Sequence, residues 1–402
     1  MDYHHPKVQQ IFGKADVIVF QRNVLTPDVW ASLSYWRSLG KIVTIDIQVD
    51  DGYSLLPPSN PAHPFWIMNA ANLPSGDPVA DLCHAMTLVD ALVAPSKVLL
   101  KDYDHLVPGF HIANFPRRMW YEQCVPKPLG QPDIQFGYSQ QEIDGTSQLV
   151  FTGQKRPDSK DWIVFGWGGS ISHVDSWVYS GAVEALARIF KEYPNTRLKF
   201  CGHEARIDYL LSPFGDRVIR QQGVKPEHWP YVVSSFDIGL APLDMRPVPS
   251  NTWKEGEEKW EGGQYSYDER RSWLKGVEYL CAGVPWLATR SETYIDLKRH
   301  GVLVENGEEN WYRAMKDMVE NIASRKRLAA EKKAWALKKW TMEANVQSYV
   351  DTYERIGNLK RTKGGATLPG IAWNKVKYEL QPTTDGNTKS KKDNESVASA
   401  GN

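Results

Sequence analysis

One stretch limits the architecture more than any other. From Arg271 the sequence runs RSWLKGVEYLCAGVPWLAT to Thr289. Trp273, Leu274, Val277, Leu280 and Cys281 recur at helical spacing, so a helix with one apolar face is expected. Arg271, Lys275 and Glu278 stand at i, i+4 and i+7, which gathers two cations and a carboxylate on one polar stripe. Ala282-Gly283 stops the helix, Pro285 blocks its continuation, and Val284 to Ala288 reads as a buried strand. A charged stripe on a helix that runs directly into a buried strand suits the ligand crevice of an open α/β sheet. Taken alone, it equally suits a solvated helix face with ordinary ion pairs.

The rest of the chain repeats this alternation. Short apolar runs at Ala15–Phe20, Lys41–Ile47, Ala91–Ala94 and Ile112–Asn114 suit strands buried on both faces of a parallel sheet, with a helix over Pro27–Leu39 carrying Val29, Leu33 and Trp36. In the second half, strands are expected at Trp162–Gly166, Arg197–Cys201, Val218–Arg220, Asp237–Ala241, Trp286–Thr289 and Val302–Val304. Six strands alternating with helices make a complete doubly wound half. Asn310 to Ile356 reads as two or three helices. The expected organisation is a Rossmann-like domain over residues 1–120, a linker with an insertion over 121–161, a second Rossmann-like domain over 162–320, C-terminal helices over 321–360, and a largely disordered tail over 361–402.

Composition narrows the class. Lys plus Arg and Asp plus Glu balance at 48 each. The chain therefore has no global field to attract nucleic acid or anionic lipid, and no stable nucleic-acid binding is expected. The four cysteines are far apart and form no Cys-x-x-Cys pair, which fits a reducing cytoplasm and argues against structural zinc. No run approaches the roughly 18 apolar residues of a transmembrane helix.

Two local features point to chemistry. Trp167-Gly168-Gly169-Ser170 turns from a strand into a helix expected near Ser172, where Ser172 and Asp175 have capping-box spacing. Backbone N–H groups at such a turn converge, and glycine lets a phosphate approach. His173 would contact phosphate or cap the helix. The second feature is Asp50-Asp51 at the end of a strand. It suits either a divalent metal beside a diphosphate or a solvated turn, and no metal site is assigned. The insertion from Asp244 to Glu269, full of Trp, Tyr, Gly and charge, reads as a lid or as a decorated surface loop.

The same residues carry a family resemblance. Arg271-Ser272-Trp273-Leu274-Lys275-Gly276-Val277-Glu278-Tyr279, followed by Ala282-Gly283-Val284-Pro285, resembles the donor-binding signature of family-four retaining glycosyltransferases. Gly166 to Asp175 resembles their donor diphosphate loop, and Asp237 to Leu243 another landmark. The resemblance implies an α/β, GT-B architecture: two Rossmann-like domains face a cleft, the N-terminal one is reduced, and C-terminal helices brace both. It also implies transfer of a sugar from a nucleotide-sugar co-substrate with retention, without metal or cofactor, to a glycan, lipid, protein or modified base. Arg271, Lys275 and Glu278 would be catalytic. Gly168, Gly169, Ser170, His173, Glu278 and Tyr279 would hold the donor, with Glu278 on the ribose. Arg22, Asp50 and Asp51 fall on the acceptor side. The family often has a glutamate where this chain has Arg270. Other readings are a non-catalytic nucleotide-sugar or glycan-binding module and a dinucleotide enzyme; the latter lacks the expected Gly-x-Gly-x-x-Gly.

Overall fold

Short apolar runs become parallel strands in two separate sheets. The computed structural model describes residues 5–21, 24–47, 56, 60–64, 73–144, 146–202, 205–246, 266–361 and 378–380. In the first sheet β1 (Val17–Gln21), β2 (Ile42–Asp46), β3 (Ala91–Ala94) and β4 (Gly109–His111) lie side by side in chain order, each parallel to its neighbour. The fourth strand thus precedes the Ile112–Asn114 run expected to form it. Ile112 is apolar because the last helix covers it, in one cluster with Val93, Phe110 and Ile356.

Next comes an element that the sequence reading passed over. The linker region holds a long antiparallel hairpin, β5 (Ile134–Ile143) on β6 (Thr146–Lys155). Asp144 sits in the turn at φ 52°. Asp-Gly between two strands is a strong hairpin signal, because both central residues of the favoured turn need positive φ.

The second sheet has the order β12-β11-β10-β7-β8-β9. Its strands are β7 (Ile163–Gly168), β8 (Thr196–Cys201), β9 (Val218–Gln221), β10 (Ile238–Ala241), β11 (Trp286–Thr289) and β12 (Val302–Val304), all parallel. Strand order runs outward in both directions from β7 and β10, so a topological switch point lies between them. Ligands of open α/β sheets bind outside the carboxyl ends of strands at such a point.

Two glycines let the Leu274–Ala282 helix seat on this sheet. Gly166 and Gly239 are register partners on β7 and β10. A Cβ on Gly166 would stand 1.9 Å from the Phe236 ring, and one on Gly239 2.7 Å from the Tyr279 ring. The helix ends as its sequence requires. Gly283 takes φ 71°, and its N–H and that of Val284 return to the Leu280 and Tyr279 carbonyls.

The C-terminal helices reach both sheets. Ile322–Lys339 packs beside the Leu274–Ala282 helix, and Lys326 Nζ reaches the buried Asp237 at 2.6 Å. Asp237 also takes Lys127 Nζ at 2.7 Å and the Val164 N–H at 2.9 Å. Phe115, Trp273 and Trp340 then meet where the chain turns. Met342–Gly357 crosses to the first sheet, where the Tyr349 hydroxyl donates to the Ala113 carbonyl at 2.7 Å. Of the tail after residue 360, only Arg361 and Tyr378–Leu380 are described; Tyr378–Leu380 pairs with Leu359–Arg361. Among the described residues no helix is long and apolar enough to cross a membrane.

A buried ion pair fastens the halves. Arg270 donates to Asp102 through Nε and Nη2, both at 2.9 Å, joining the segment before the Leu274–Ala282 helix to the Lys97–Tyr103 helix of the first half. Asp102→Ala leaves a buried guanidinium without its carboxylate. It should lower stability by about 3–5 kcal/mol in chemical denaturation; a loss below about 1 kcal/mol would place the fastening elsewhere.

Candidate active site

The turn after β7 is shaped by tryptophans. A Cβ on Gly168 would lie 2.2 Å from Trp229 Cη2, and one on Gly169 2.5 Å from Trp167 Cζ2. The Gly169 N–H donates to the Cys201 carbonyl at 3.0 Å. That bond pins the turn to the end of β8, so Gly169 contributes room for a ligand rather than a free donor. Ser172 and Asp175 do not form the expected capping box. Ser172 Oγ meets Ser170 Oγ at 2.9 Å, while Asp175 accepts from Asn60 Nδ2 at 2.9 Å. Asn60 also donates to the Ser172 carbonyl at 3.1 Å, so a side chain of the first half supports the turn.

Past this turn the two cations of the polar stripe converge on one imidazole. Arg271 Nη1 stands 2.9 Å from His173 Nε2 and Lys275 Nζ 3.1 Å from the same atom. Both neighbours are donors, so Nε2 is the acceptor and the ring proton sits on Nδ1. The His173 side chain makes no helix-cap bond. Burial first, then the charges of Arg271 and Lys275, hold its pKa well below the ordinary histidine value. Arg271 is itself held on other sides: Nε donates to Asp268 Oδ1 at 2.6 Å and Nη2 to the Ser172 carbonyl at 3.2 Å.

Asp268 is a hub that sequence reasoning missed. Its carboxylate accepts from Arg271, from Ser176 Oγ at 2.6 Å and from the Asp244 N–H at 2.6 Å. It therefore closes the stem of the insertion that starts at Asp244, beside the cations. Residues 247–265, which contain the lid or loop itself, lie outside the described residues. Asp268 stands in the charge-rich end of that insertion, where no periodicity marks a buried residue.

These groups line a cavity of about 1160 Å³ beyond the carboxyl ends of β7, β8 and β9. Of the residues singled out from sequence, Gly168, Gly169, His173, Arg271, Lys275 and Glu278 face it together. Glu278 lies opposite Tyr121, whose phenol pKa is pushed well above the ordinary value by burial and then by the Glu278 charge. Ser170 is absent from the lining and spends its hydroxyl on Ser172. Tyr279 corrects an expectation outright: it is 2% exposed in the core, and its hydroxyl donates to the Leu240 carbonyl at 2.8 Å. Lys275 and Glu278, one turn apart on the helix, face the cavity, and the next residue along a helix points about 100° away. Arg271, expected on the same helical stripe, precedes the helix in extended backbone. Arg22, Asp50 and Asp51 lie outside the described residues. Trp120 and Tyr121, on the short helix Arg118–Tyr121, and Trp229, which begins the short helix Trp229–Ser234, also line the cavity; helices this short show no periodicity for a sequence pattern to reveal.

No protein-family profile matches the sequence, and no curated protein matches it by sequence. Solved structures do match in three dimensions. HepE from Anabaena, crystallised in complex with UDP and glucose, aligns over 87% of this chain and 80% of its own with a TM-score of 0.52 at 12% identity. Sucrose-phosphate synthase from Thermosynechococcus elongatus aligns over 87% and 76% with a TM-score of 0.51 at 13% identity. Both neighbours have the GT-B fold. The fold is GT-B. In these terms the cavity lies on the carboxyl-end face of the C-terminal Rossmann-like domain, with Arg271, Lys275 and Glu278 on one wall.

The packing behind the turn generates a test. Gly168→Ala forces Trp229 out of its place at the cavity wall. The overpacking should cost about 1–3 kcal/mol, read as a lowered thermal midpoint; an unchanged midpoint would mean that Trp229 moves freely.

Proposed function

We propose that the chain is a glycosyltransferase that moves a sugar from a nucleotide-sugar donor to an acceptor, with retention at the anomeric carbon and without a metal ion. The observation that carries this reading is the convergence of Arg271 and Lys275 on the cavity beyond β7, beside a turn kept open by Gly168 and Gly169. Breaking a glycosyl–phosphate bond develops positive charge on the sugar and negative charge on the departing diphosphate. Fixed cations aimed at that diphosphate stabilise it in the transition state without reorganising. Arg271 is the more rigid of the two, held by Asp268 and Ser172; Lys275 has a flexible stem and can follow the charge. Glu278, three residues further along the stripe, is assigned to the ribose hydroxyls.

The fold neighbour crystallised with UDP and glucose supports a sugar nucleotide as the ligand class. The proposed setting is cytoplasmic, in keeping with the few, scattered cysteines. Retention would follow from attack on the face that the diphosphate leaves. Nuclear magnetic resonance of the product's anomeric proton reads that stereochemistry.

The test is a thermal-shift series with UDP, GDP, ADP, CMP and their sugars, followed by product detection with the stabilising donor. Selective stabilisation is expected, lost in Glu278→Ala. Lys275→Ala should lower turnover by about 10²–10³-fold, the typical loss when one preorganised charge-stabilising group is removed. Stabilisation without turnover on any acceptor would move the chain to the binding-module reading. No stabilisation by any nucleotide would overturn both.

A further inference from the structure

The contact between His173 and the two cations has a function of its own. An imidazole nitrogen has one in-plane lone pair, yet Arg271 Nη1 at 2.9 Å and Lys275 Nζ at 3.1 Å both address that of Nε2. Two cations converging on a cavity repel each other, and a neutral acceptor between them offsets the repulsion without bringing a charge that a phosphate would have to displace. His173 is also fixed in place. It is 9% exposed, the Trp167 ring meets it edge-on at 5.9 Å, and a Cβ on Gly169 would come within 3.0 Å of its Cδ2.

We propose that His173 holds Arg271 and Lys275 in position while the site is empty, and takes up a proton when a diphosphate replaces it as the partner of the two cations. The inference rests on the donor-site reading above. It makes His173 a positioning residue whose protonation is coupled to donor binding.

The sign follows from the groups around the ring. Arg271 and Lys275 are the charges that face it, and both oppose a proton on Nε2. Asp268 lies behind Arg271 and bonds its Nε, while Asp175, on the helix that follows His173, bonds Asn60. In the empty site the ring is therefore neutral near neutral pH, its pKa held low by burial and by the two cations. A bound diphosphate brings negative charge to the same place and accepts from Arg271 and Lys275. The Nε2 lone pair is released, a proton from solvent binds there, and the new N–H donates to a phosphate oxygen. When the diphosphate leaves, the proton returns to solvent and the cations return to the lone pair. Proton uptake on binding means that diphosphate affinity falls as pH rises through the bound-state pKa of the ring.

The experiment is titration calorimetry of the whole chain at neutral pH, with inorganic pyrophosphate and with UDP, in buffers of different ionisation enthalpy. The observed enthalpy plotted against buffer enthalpy gives the protons exchanged. His173→Gln keeps a neutral acceptor but cannot titrate in this range. The native chain should take up as much as one proton more than His173→Gln, whose slope reports the protons that the diphosphate itself exchanges. His173→Phe, which removes the acceptor, should bind about tenfold or more weakly, as for loss of a bond to a charged group. Equal slopes for the native chain and His173→Gln overturn the inference while leaving the donor-site reading intact. Absence of binding by both pyrophosphate and UDP, with GDP, ADP and CMP also inactive, sinks the donor-site reading and this inference together.

Discussion

Two consecutive arginines facing opposite ways hold the site to the fold. Arg270 reaches out of the C-terminal domain to Asp102 of the first half, and Arg271 reaches into the cavity toward His173. The short turn Tyr267–Arg270 that carries the first also carries Asp268, which holds the second. A shift between the halves is thereby felt at Arg271 through one or two bonds. Asn60 makes a second connection of this kind, from the first half to the Ser172 carbonyl that Arg271 also uses. Arg270 thus has a mechanical use: it grips the opposite half right beside the residue that enters the cavity.

The cavity wall owes its shape to bulky groups that lie behind it. Trp167 stacks on Phe200 and meets Trp177 edge-on, forming a rigid layer under the turn after β7. Trp229 closes the side at Gly168. With so much aromatic volume in place, only glycine fits at 168 and 169, and the open floor follows from packing as much as from any need of a ligand. The same logic seats the Leu274–Ala282 helix. Tyr279 and Phe236 lie over paired glycines, which brings the helix close to the sheet and turns Lys275 and Glu278 toward the cavity.

Much of this was legible in the sequence. Buried parallel strands announce themselves as continuous apolar runs, and all six strands of the second sheet stand within a few residues of their runs. Lys275 and Glu278 were legible because helical spacing is rigid, whereas Arg271, expected on the same helix, precedes it in extended backbone and reaches the same wall from outside the periodic segment. Tyr279 was misread since adjacency in a motif says nothing about direction, and a buried tyrosine satisfies its hydroxyl wherever a carbonyl is near. Asp268 and Asn60 were invisible for a different reason: each makes several contacts with residues far along the chain, and no local pattern encodes such contacts. The Asp144-Gly145 hairpin could have been read, and its turn chemistry was overlooked amid polar flanks.

The last helix has a consequence for how the chain comes to be. Ile356 and Leu359 share a cluster with Ala91, Val93, Phe110 and Ile112, so one face of the first sheet is roofed by residues made after the second domain. Until they emerge from the ribosome, the first half displays an uncovered apolar face while the second domain is already assembling. Its completion is thereby deferred until the second domain has been made. A chain cut short before residue 342 would lose more than a helix: its opening domain would be left unfinished.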